Sequence, residues 1–91
     1  MENTQLKSTL QSKLQSMAKE DKTPSEMLRY LVLDIGQEQQ LELMILFTEA
    51  FDCTLGEVTA IGGWWHDDSA ELNDTDIDAY ITPLVIEWLA K

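Results

Sequence analysis

Residues 37–52 read QEQQLELMILFTEAFD, and this stretch decides the fold class. Its apolar residues recur at intervals of three and four, which is the spacing of a helix face. The predicted buried face contains Leu41, Met44, Ile45, Thr48 and Phe51, and it is broadened by Leu43, Leu46, Phe47 and Ala50. Because so wide an apolar face must be covered on several sides, the stretch predicts a central core helix from Gln37 to Asp52.

Two more helices are predicted before this stretch. The first runs from Thr4 to Lys19, with a narrow apolar stripe of Leu6, Leu10, Leu14 and Met17. The second begins at Thr23, where a capping threonine, a proline at the first helical position and Glu26 form a capping box. Gly36 is a typical left-handed helix stop. The predicted buried face of this second helix is Met27, Leu28, Leu31, Val32 and Ile35.

Two further helices are predicted after it. Thr54 and Glu57 repeat the capping-box spacing and predict a short helix over 55–61, closed by Gly62 and Gly63. Asn73 or Asp74 caps a last helix, whose expected core positions are Ile77, Tyr80, Ile81, Leu84, Val85, Trp88 and Leu89. Pro83 predicts either a kink over 79–81 or a restart with Thr82 as the cap. Residues 1–91 therefore predict a single domain, a compact all-α bundle of five helices.

Composition restricts the classes of function. The 91 residues carry a formal net charge of -11, and residues 30–90 hold thirteen acidic side chains but no lysine or arginine. Such a surface repels nucleic acid and anionic membranes and attracts cationic partners, although solubility alone is a simpler reading. The apolar stretch over 41–51 is too short and too polar to cross a bilayer, and residues 1–15 lack the apolar region of a secretory signal. With Cys53 as the lone cysteine, we expect a cytoplasmic protein that does not act in a membrane.

Three aspartates imitate the opening of a calcium-binding loop. Asp74, Asp76 and Asp78 alternate as such a loop requires, but Ala79 stands where it needs glycine and Val85 where it needs the closing glutamate. Favourable interaction with the dipole at a helix start explains the same residues. We therefore predict no metal site there.

The chain offers few other groups for catalysis. His66 is the only histidine, so a zinc site would need mostly carboxylate ligands, which is unusual for that ion. Cys53 and Ser69 lie in no recognisable nucleophile motif, and there is no glycine-rich phosphate loop. We expect no cofactor, no catalytic residue and no enzymatic activity.

The most informative segment is GGWWHDD, residues 62–68. Two adjacent tryptophans on a loop cannot easily both enter a small core, and exposed tryptophan is typical of binding hot spots. The alternative is that one of them closes the end of the bundle while its indole N–H finds a backbone carbonyl. The predicted partner-binding residues are Trp64, Trp65, Asp67, Asp68 and Glu71, together with Asp74, Asp76 and Asp78.

Small size, acidity, helical content and the acidic loop from Trp64 to Glu71 resemble the immunity proteins of bacterial polymorphic toxins, including those of contact-dependent inhibition. The resemblance implies a stoichiometric inhibitor, like an antitoxin, of a basic nucleic-acid-binding protein such as a nuclease toxin. It implies no direct contact with nucleic acid. The alternative is a helical adaptor or assembly subunit, in its simplest form a homodimer, whose acidity serves solubility. That reading depends on the narrow stripe of the first helix and on a surplus of apolar positions, Leu33, Leu43 and Ile86.

Overall fold

A computed structural model of the chain describes the backbone of residues 2–91 and the side chains of residues 8–91. Over this range every regular element is helical, which confirms the predicted all-α fold. In chain order the elements are α1 (Glu2–Lys19), α2 (Pro24–Arg29) continued by a π-helical turn (Tyr30–Asp34), α3 (Gln40–Phe51), a 3₁₀ helix (Gly56–Gly63) and α4 (Asp74–Leu89).

The bundle is built around α3. Both α1 and the 3₁₀ helix pack against α3, while α4 packs against α2 and the 3₁₀ helix. The Cα radius of gyration is 12.0 Å, close to the value of about 12 Å expected for one compact body of this length. Every helix contributes to the fully buried core, which includes Leu14, Met27, Leu28, Leu31, Leu43, Phe47, Val58, Ile61, Trp64, Ile77 and Ile81.

The apolar stripe of α1 packs against the rest of the bundle. Leu10, Leu14 and Met17 are buried, and the Gln15 side-chain amide donates a 2.7 Å hydrogen bond to the Ala50 carbonyl of α3. Leu6 is the remaining residue of the predicted stripe, and its side chain lies outside the described residues. Internal packing therefore uses the described part of this stripe.

The predicted capping boxes form. At the start of α2 the Glu26 N–H donates to Thr23 Oγ1 at 3.3 Å, and the Thr23 N–H donates to the Glu26 carboxylate at 3.4 Å. At the start of the 3₁₀ helix Thr54 and Glu57 make the same reciprocal bonds, at 3.3 and 2.9 Å. The first pair satisfies two amides at the start of α2. In the second pair the Glu57 N–H also donates to the Thr54 carbonyl at 3.1 Å, so its bond to the Thr54 hydroxyl is shared.

Thr23→Ala and Thr54→Ala should each lower the free energy of unfolding by about 0.5 to 2 kcal/mol, because each removes the oxygen that accepts an end amide. Urea unfolding followed by circular dichroism measures this loss. Thr75→Ala is the matched control, since Thr75 is exposed within the first turn of α4, and it should change stability by less than about 0.5 kcal/mol. Equal effects from all three substitutions would contradict the capping roles.

The buried face of α3 differs from the predicted one. Leu41 is 58% exposed, and Ile45 and Thr48 are only partly buried. The residues that were expected only to broaden the face form its centre, and the buried set is Leu43, Leu46, Phe47, Ala50 and Phe51. Because α3 is apolar on most of its circumference, its periodicity alone does not determine which side meets α1 and the 3₁₀ helix.

Ile35 is not in the core, contrary to prediction. The Ile35 N–H donates to the Tyr30 carbonyl at 3.1 Å, a bond that spans five residues instead of four. This π-helical turn rotates the following residues relative to an α-helix, and Ile35 is 39% exposed. Gly36 has φ +85° and the Gln37 N–H bonds back to the Leu31 carbonyl at 2.9 Å, so the predicted left-handed stop is confirmed.

The fourth predicted helix is 3₁₀-helical rather than α-helical, and it extends to Gly63. Val58 and Ile61 are buried in it, whereas Leu55 before its start is 44% exposed. Val58 has φ -106° and ψ 16°, which is not helical, so the segment bends at its centre.

The last helix, α4, is capped by Asn73, one of the two predicted caps, whose side chain accepts the Asp76 N–H at 2.8 Å. It continues through Pro83 to Leu89, so a restart with Thr82 as the cap is wrong. Pro83 is exposed, as is Ala79 four residues earlier, and solvent can hydrate the carbonyl that the proline leaves without a donor.

The side of α4 that meets the core is narrower than predicted, and Leu84 and Trp88 are only partly buried against the core. Ile77, Ile81 and Val85 are buried at intervals of four residues, whereas Tyr80 is 61% exposed and Leu89 is 43% exposed. The prediction that Tyr80 and Leu89 belong to the core is therefore wrong. The elements that pack on α4 cover only part of its apolar surface, and the rest of that surface faces solvent.

A candidate protein-binding surface at the Trp65 loop

The segment after the 3₁₀ helix forms a loop that is closed at its base. The Leu72 N–H donates a 2.8 Å hydrogen bond to the Gly63 carbonyl, and Trp64 and Leu72 form a single parallel bridge. We call residues 65–71, between these bridge partners, the Trp65 loop. Its two ends lie together on the body of the bundle, so the loop projects as a compact unit.

Trp64 belongs to the core. Its side chain is fully buried, and its indole N–H donates a 2.9 Å hydrogen bond to Asp74 Oδ1. The sequence allowed for one tryptophan closing the bundle with a backbone carbonyl as the acceptor, but here the acceptor is a carboxylate. Trp64 is in the predicted partner-binding set, yet it offers no surface to a partner.

Arg29 links α2, the Trp65 loop and α4. Its Nε and Nη2 donate to the two carboxylate oxygens of Asp74 at 3.0 and 3.1 Å, and its Nη1 donates to the His66 carbonyl at 3.1 Å. The guanidinium carbon lies 5.7 Å from the centroid of the Trp64 ring. This paired arrangement is the strong form of an arginine–carboxylate contact, and it holds the loop backbone in place.

The three aspartates at the start of α4 each have a bond within the protein. Asp74 pairs with Arg29, Asp76 accepts the Asn73 N–H at 3.3 Å, and Asp78 accepts the Ser25 N–H at 2.8 Å and the Ser25 hydroxyl at 3.1 Å. These contacts join α4 to its own cap and to α2. Although all three aspartates were predicted to contact a partner, their observed contacts stabilise the fold.

The other predicted site residues lie together on the Trp65 loop. Trp65 is partly buried, with its ring centroid 5.2 Å from that of His66, while Asp67, Asp68 and Glu71 are exposed. Hydrogen bonds from Ser69 lower the pKa of Asp67, so this carboxylate keeps its negative charge at a lower pH than an ordinary aspartate. The loop therefore presents one aromatic side chain beside three carboxylates.

Two grooves flank the loop and adjoin across the Gly62–Gly63 backbone. The Trp65 groove has a volume of about 340 Å³ and is lined by Glu38, Gln40, Gly62, Trp65, Ser69 and Ala70. The Tyr80 groove has a volume of about 390 Å³ and is lined by Gly56, Glu57, Thr59, Ala60, Gly63, Glu71, Leu72 and Tyr80. Each groove contains an aromatic side chain and at least one carboxylate, and neither is lined by a basic residue.

The charge of the loop is not balanced locally. The ion pairs in the described part of the chain join Lys22 to Glu26, Arg29 to Asp74 and Lys91 to Asp52. None of these pairs includes Asp67, Asp68 or Glu71. Their negative field therefore extends into solvent, screened only by salt.

Cys53, the lone cysteine, lies outside the Trp65 loop, and its thiol is weakly reactive. Burial raises the pKa of Cys53, and the nearby carboxylates of Glu57 and Asp52 raise it further. The thiol therefore stays protonated at neutral pH, and a protonated thiol is a weak nucleophile. Within residues 8–91 no three His, Cys, Asp or Glu side chains converge in a way that could hold a metal ion.

Three features of this surface were not anticipated from sequence. Arg29 gave no signal beyond its charge, since its acceptors lie far along the chain at His66 and Asp74. Tyr80 was placed in the core by its helical spacing, and Glu38 precedes α3 in a loop. Only the packing of the helices brings these residues toward Trp65 and Glu71.

Comparison with known proteins gives no match: no family model, no curated protein and no solved structure is similar to this chain. Among residues 2–91 no helix has both the length and the apolar character needed to cross a bilayer. Function is therefore inferred from the residues and their geometry.

Proposed function

We propose that this chain is an acidic binding protein that inhibits a basic, nucleic-acid-binding protein, such as a nuclease toxin, by forming a stoichiometric complex in the cytoplasm. The observation that carries the proposal is the Trp65 loop, where a partly buried tryptophan stands beside Asp67, Asp68 and Glu71, none of which is in an ion pair among the described residues. In the complex the carboxylates occupy the site meant for phosphates, and Trp65 provides the desolvated anchor.

The rigidity of the loop supports this role. The Gln40 side-chain amide donates to the carbonyls of Gly62 and Trp64, just before the loop, at 3.2 and 2.8 Å, and Arg29 donates to the His66 carbonyl within it at 3.1 Å. A loop whose backbone is already ordered loses less conformational entropy on binding than a flexible one. The donors of these bonds lie on α2 and α3, which fix the start of the loop to the bundle.

The distribution of charge supports the same class of partner. Between residues 30 and 90 there is no lysine or arginine, and Arg29 beside the loop is paired with Asp74, so the carboxylates of the loop attract a cationic protein and repel nucleic acid. The screening length falls from about 30 Å in 10 mM salt to about 8 Å at physiological ionic strength. Association should therefore depend strongly on salt.

Purification of the chain from its native host with its bound partner, followed by reconstitution of the purified pair, tests the proposal. We expect a basic partner whose nuclease or nucleic-acid-binding activity falls to zero at one equivalent. Stopped-flow association should slow by about tenfold or more between low and physiological salt. A neutral or acidic partner, or an association rate that is indifferent to salt, would rule out inhibition by charge mimicry.

Trp65→Ala should weaken the complex by about 2 kcal/mol or more, mainly through faster dissociation, because it empties a desolvated pocket. Charge reversal in Asp67→Lys/Asp68→Lys should instead slow association and flatten its salt dependence. Surface plasmon resonance at several salt concentrations separates the two rates. Glu20→Lys/Glu87→Lys changes the net charge equally at two exposed positions outside the loop, and it should affect association less. If the loop substitutions and this control behave alike, only net charge matters and the loop is not the interface.

One observation favours the adaptor or homodimer alternative. Ile86 and Leu89 are 58% and 43% exposed, and they border a groove of about 190 Å³ between α4, the end of α1 and the start of α2. Of the apolar surplus noted in the sequence, Leu33 is also exposed, whereas Leu43 is fully buried. Sedimentation equilibrium tests the homodimer form of this alternative, since a dimer through this face should dissociate in Ile86→Glu, and a monomeric wild-type chain excludes a homodimer.

A further inference from the structure

The Tyr80 groove combines an apolar floor with an acidic rim. Tyr80 lies on α4 and is 61% exposed. It lines the groove together with Ala60 and Leu72, which are both partly buried. Two carboxylates line the same groove from different segments, Glu57 from the 3₁₀ helix and Glu71 from the Trp65 loop. The volume of about 390 Å³ lies at the lower end of the range of about 300 to 1,000 Å³ found for ligand pockets.

We propose that this groove binds an arginine side chain of the basic partner, so that Tyr80 is a second anchor beside Trp65. The inference rests on the proposed function, because that function requires a basic partner. An arginine side chain has an apolar stem that suits Ala60 and Leu72, and a planar cation that stacks on an aromatic ring. The two carboxylates then accept its N–H groups.

Charge complementarity selects this occupant. One oxygen of Glu57 already accepts the Thr54 N–H and hydroxyl, which leaves its other oxygen for a ligand, and Glu71 is in none of the ion pairs of the described residues. The guanidinium group presents several donors in a fixed plane and can meet both carboxylates, whereas a lysine ammonium acts as a point charge. The groove beside Cys53 contains Lys91 as well as carboxylates, and the groove beside Ile86 contains both Asp21 and Lys22. The Tyr80 groove differs from both, because carboxylates line it and no basic residue does.

The position of the groove supports a shared partner. Gly63 lines the Tyr80 groove and Gly62 lines the Trp65 groove, so the two adjoin across one peptide bond. A partner large enough to contact both sides of the Trp65 loop would therefore reach both grooves. An arginine in the Tyr80 groove adds specificity, because the partner must then place a guanidinium group at one defined position and not merely carry positive charge.

The test is a titration of the ¹⁵N-labelled full chain with Nα-acetyl-arginine amide, followed by NMR. Amide shifts at Ala60, Gly63 and Leu72 should exceed those produced by Nα-acetyl-lysine amide or by sodium chloride at the same ionic strength. Tyr80→Ala should weaken this binding about 2- to 5-fold, as expected for loss of a cation–π contact at an exposed site. Ile86→Ala, an equally exposed position on the same helix, should leave it unchanged. Equal shifts with arginine and sodium chloride, or binding that Tyr80→Ala does not weaken, would overturn the inference.

A second variant guards against effects of Tyr80→Ala on folding. Glu71→Gln changes only the charge of an exposed loop residue, and it should also weaken arginine binding. In the complex with the basic partner, Tyr80→Ala should speed dissociation. If the partner is inhibited but dissociation is unchanged, the second anchor is disproved while the proposed function stands. If arginine binds the groove and the partner found is not basic, the proposed function fails and the groove remains an arginine site.

Discussion

Trp64→Ala is expected to lower the free energy of unfolding by about 3 to 5 kcal/mol, the range for removing a large aromatic side chain from a core. Trp64 is fully buried, and the substitution also removes the donor of its 2.9 Å hydrogen bond to Asp74. A domain of this size is stable by roughly 5 to 14 kcal/mol. The variant should therefore unfold at a clearly lower urea concentration than the wild-type chain, which urea denaturation followed by near-ultraviolet circular dichroism will show.

The neighbouring residue provides the matched control. Trp65 is only partly buried and belongs to the loop, so Trp65→Ala should reduce stability by about 1 kcal/mol or less while it impairs binding. The two variants remove the same side chain at adjacent positions and should separate stability from affinity. Similar losses of stability in both variants would mean that Trp65 is also part of the core and that the binding surface lies elsewhere.

The second large effect is expected at Asp74. Asp74→Ala leaves the buried indole N–H of Trp64 without an acceptor and Arg29 without its carboxylate. The side chains of Arg29 and Asp74 are 35% and 40% exposed, so water partly compensates for the lost pair. We expect a loss of about 2 to 3 kcal/mol in the free energy of unfolding, between the values for an exposed and a buried pair.

Asp74→Asn separates the contribution of the hydrogen bond to Trp64 from that of the ion pair with Arg29. Its side-chain carbonyl can still accept the Trp64 N–H, while the charge that pairs with Arg29 is lost. The loss should be about 1 kcal/mol, which is the part due to the ion pair. Chemical denaturation of both variants gives the comparison. If the alanine and asparagine variants are equally destabilised, the hydrogen bond to Trp64 contributes nothing measurable to stability.

The sequence by itself determined that the chain is helical and where its capped helices begin, although α3 begins at Gln40 rather than at the predicted Gln37. The side chains of Thr23 and Thr54 cap where their spacing to Glu26 and Glu57 predicts, because a cap is a contact between residues three apart. Asn73 caps α4 and is one of the two caps predicted for it. Gly36 stops its helix for an equally local reason, since it accepts a positive φ at little cost. The concentration of carboxylates after residue 30, and with it the class of partner that we propose, is also a property of the sequence.

Only the tertiary structure decided which faces are buried and which residues surround the loop. An apolar residue on a helix is buried only if another element covers it, and periodicity does not say how wide that cover is. Leu41 and Tyr80 are therefore exposed despite their helical spacing, while Leu43 lies at the centre of the core. Arg29 reaches His66 and Asp74 across 37 and 45 residues of chain, a contact with no local signal. It exists because packing α2 against α4 brings a cation to the base of the loop, and the same packing leaves Trp65 at the surface while Trp64 is buried.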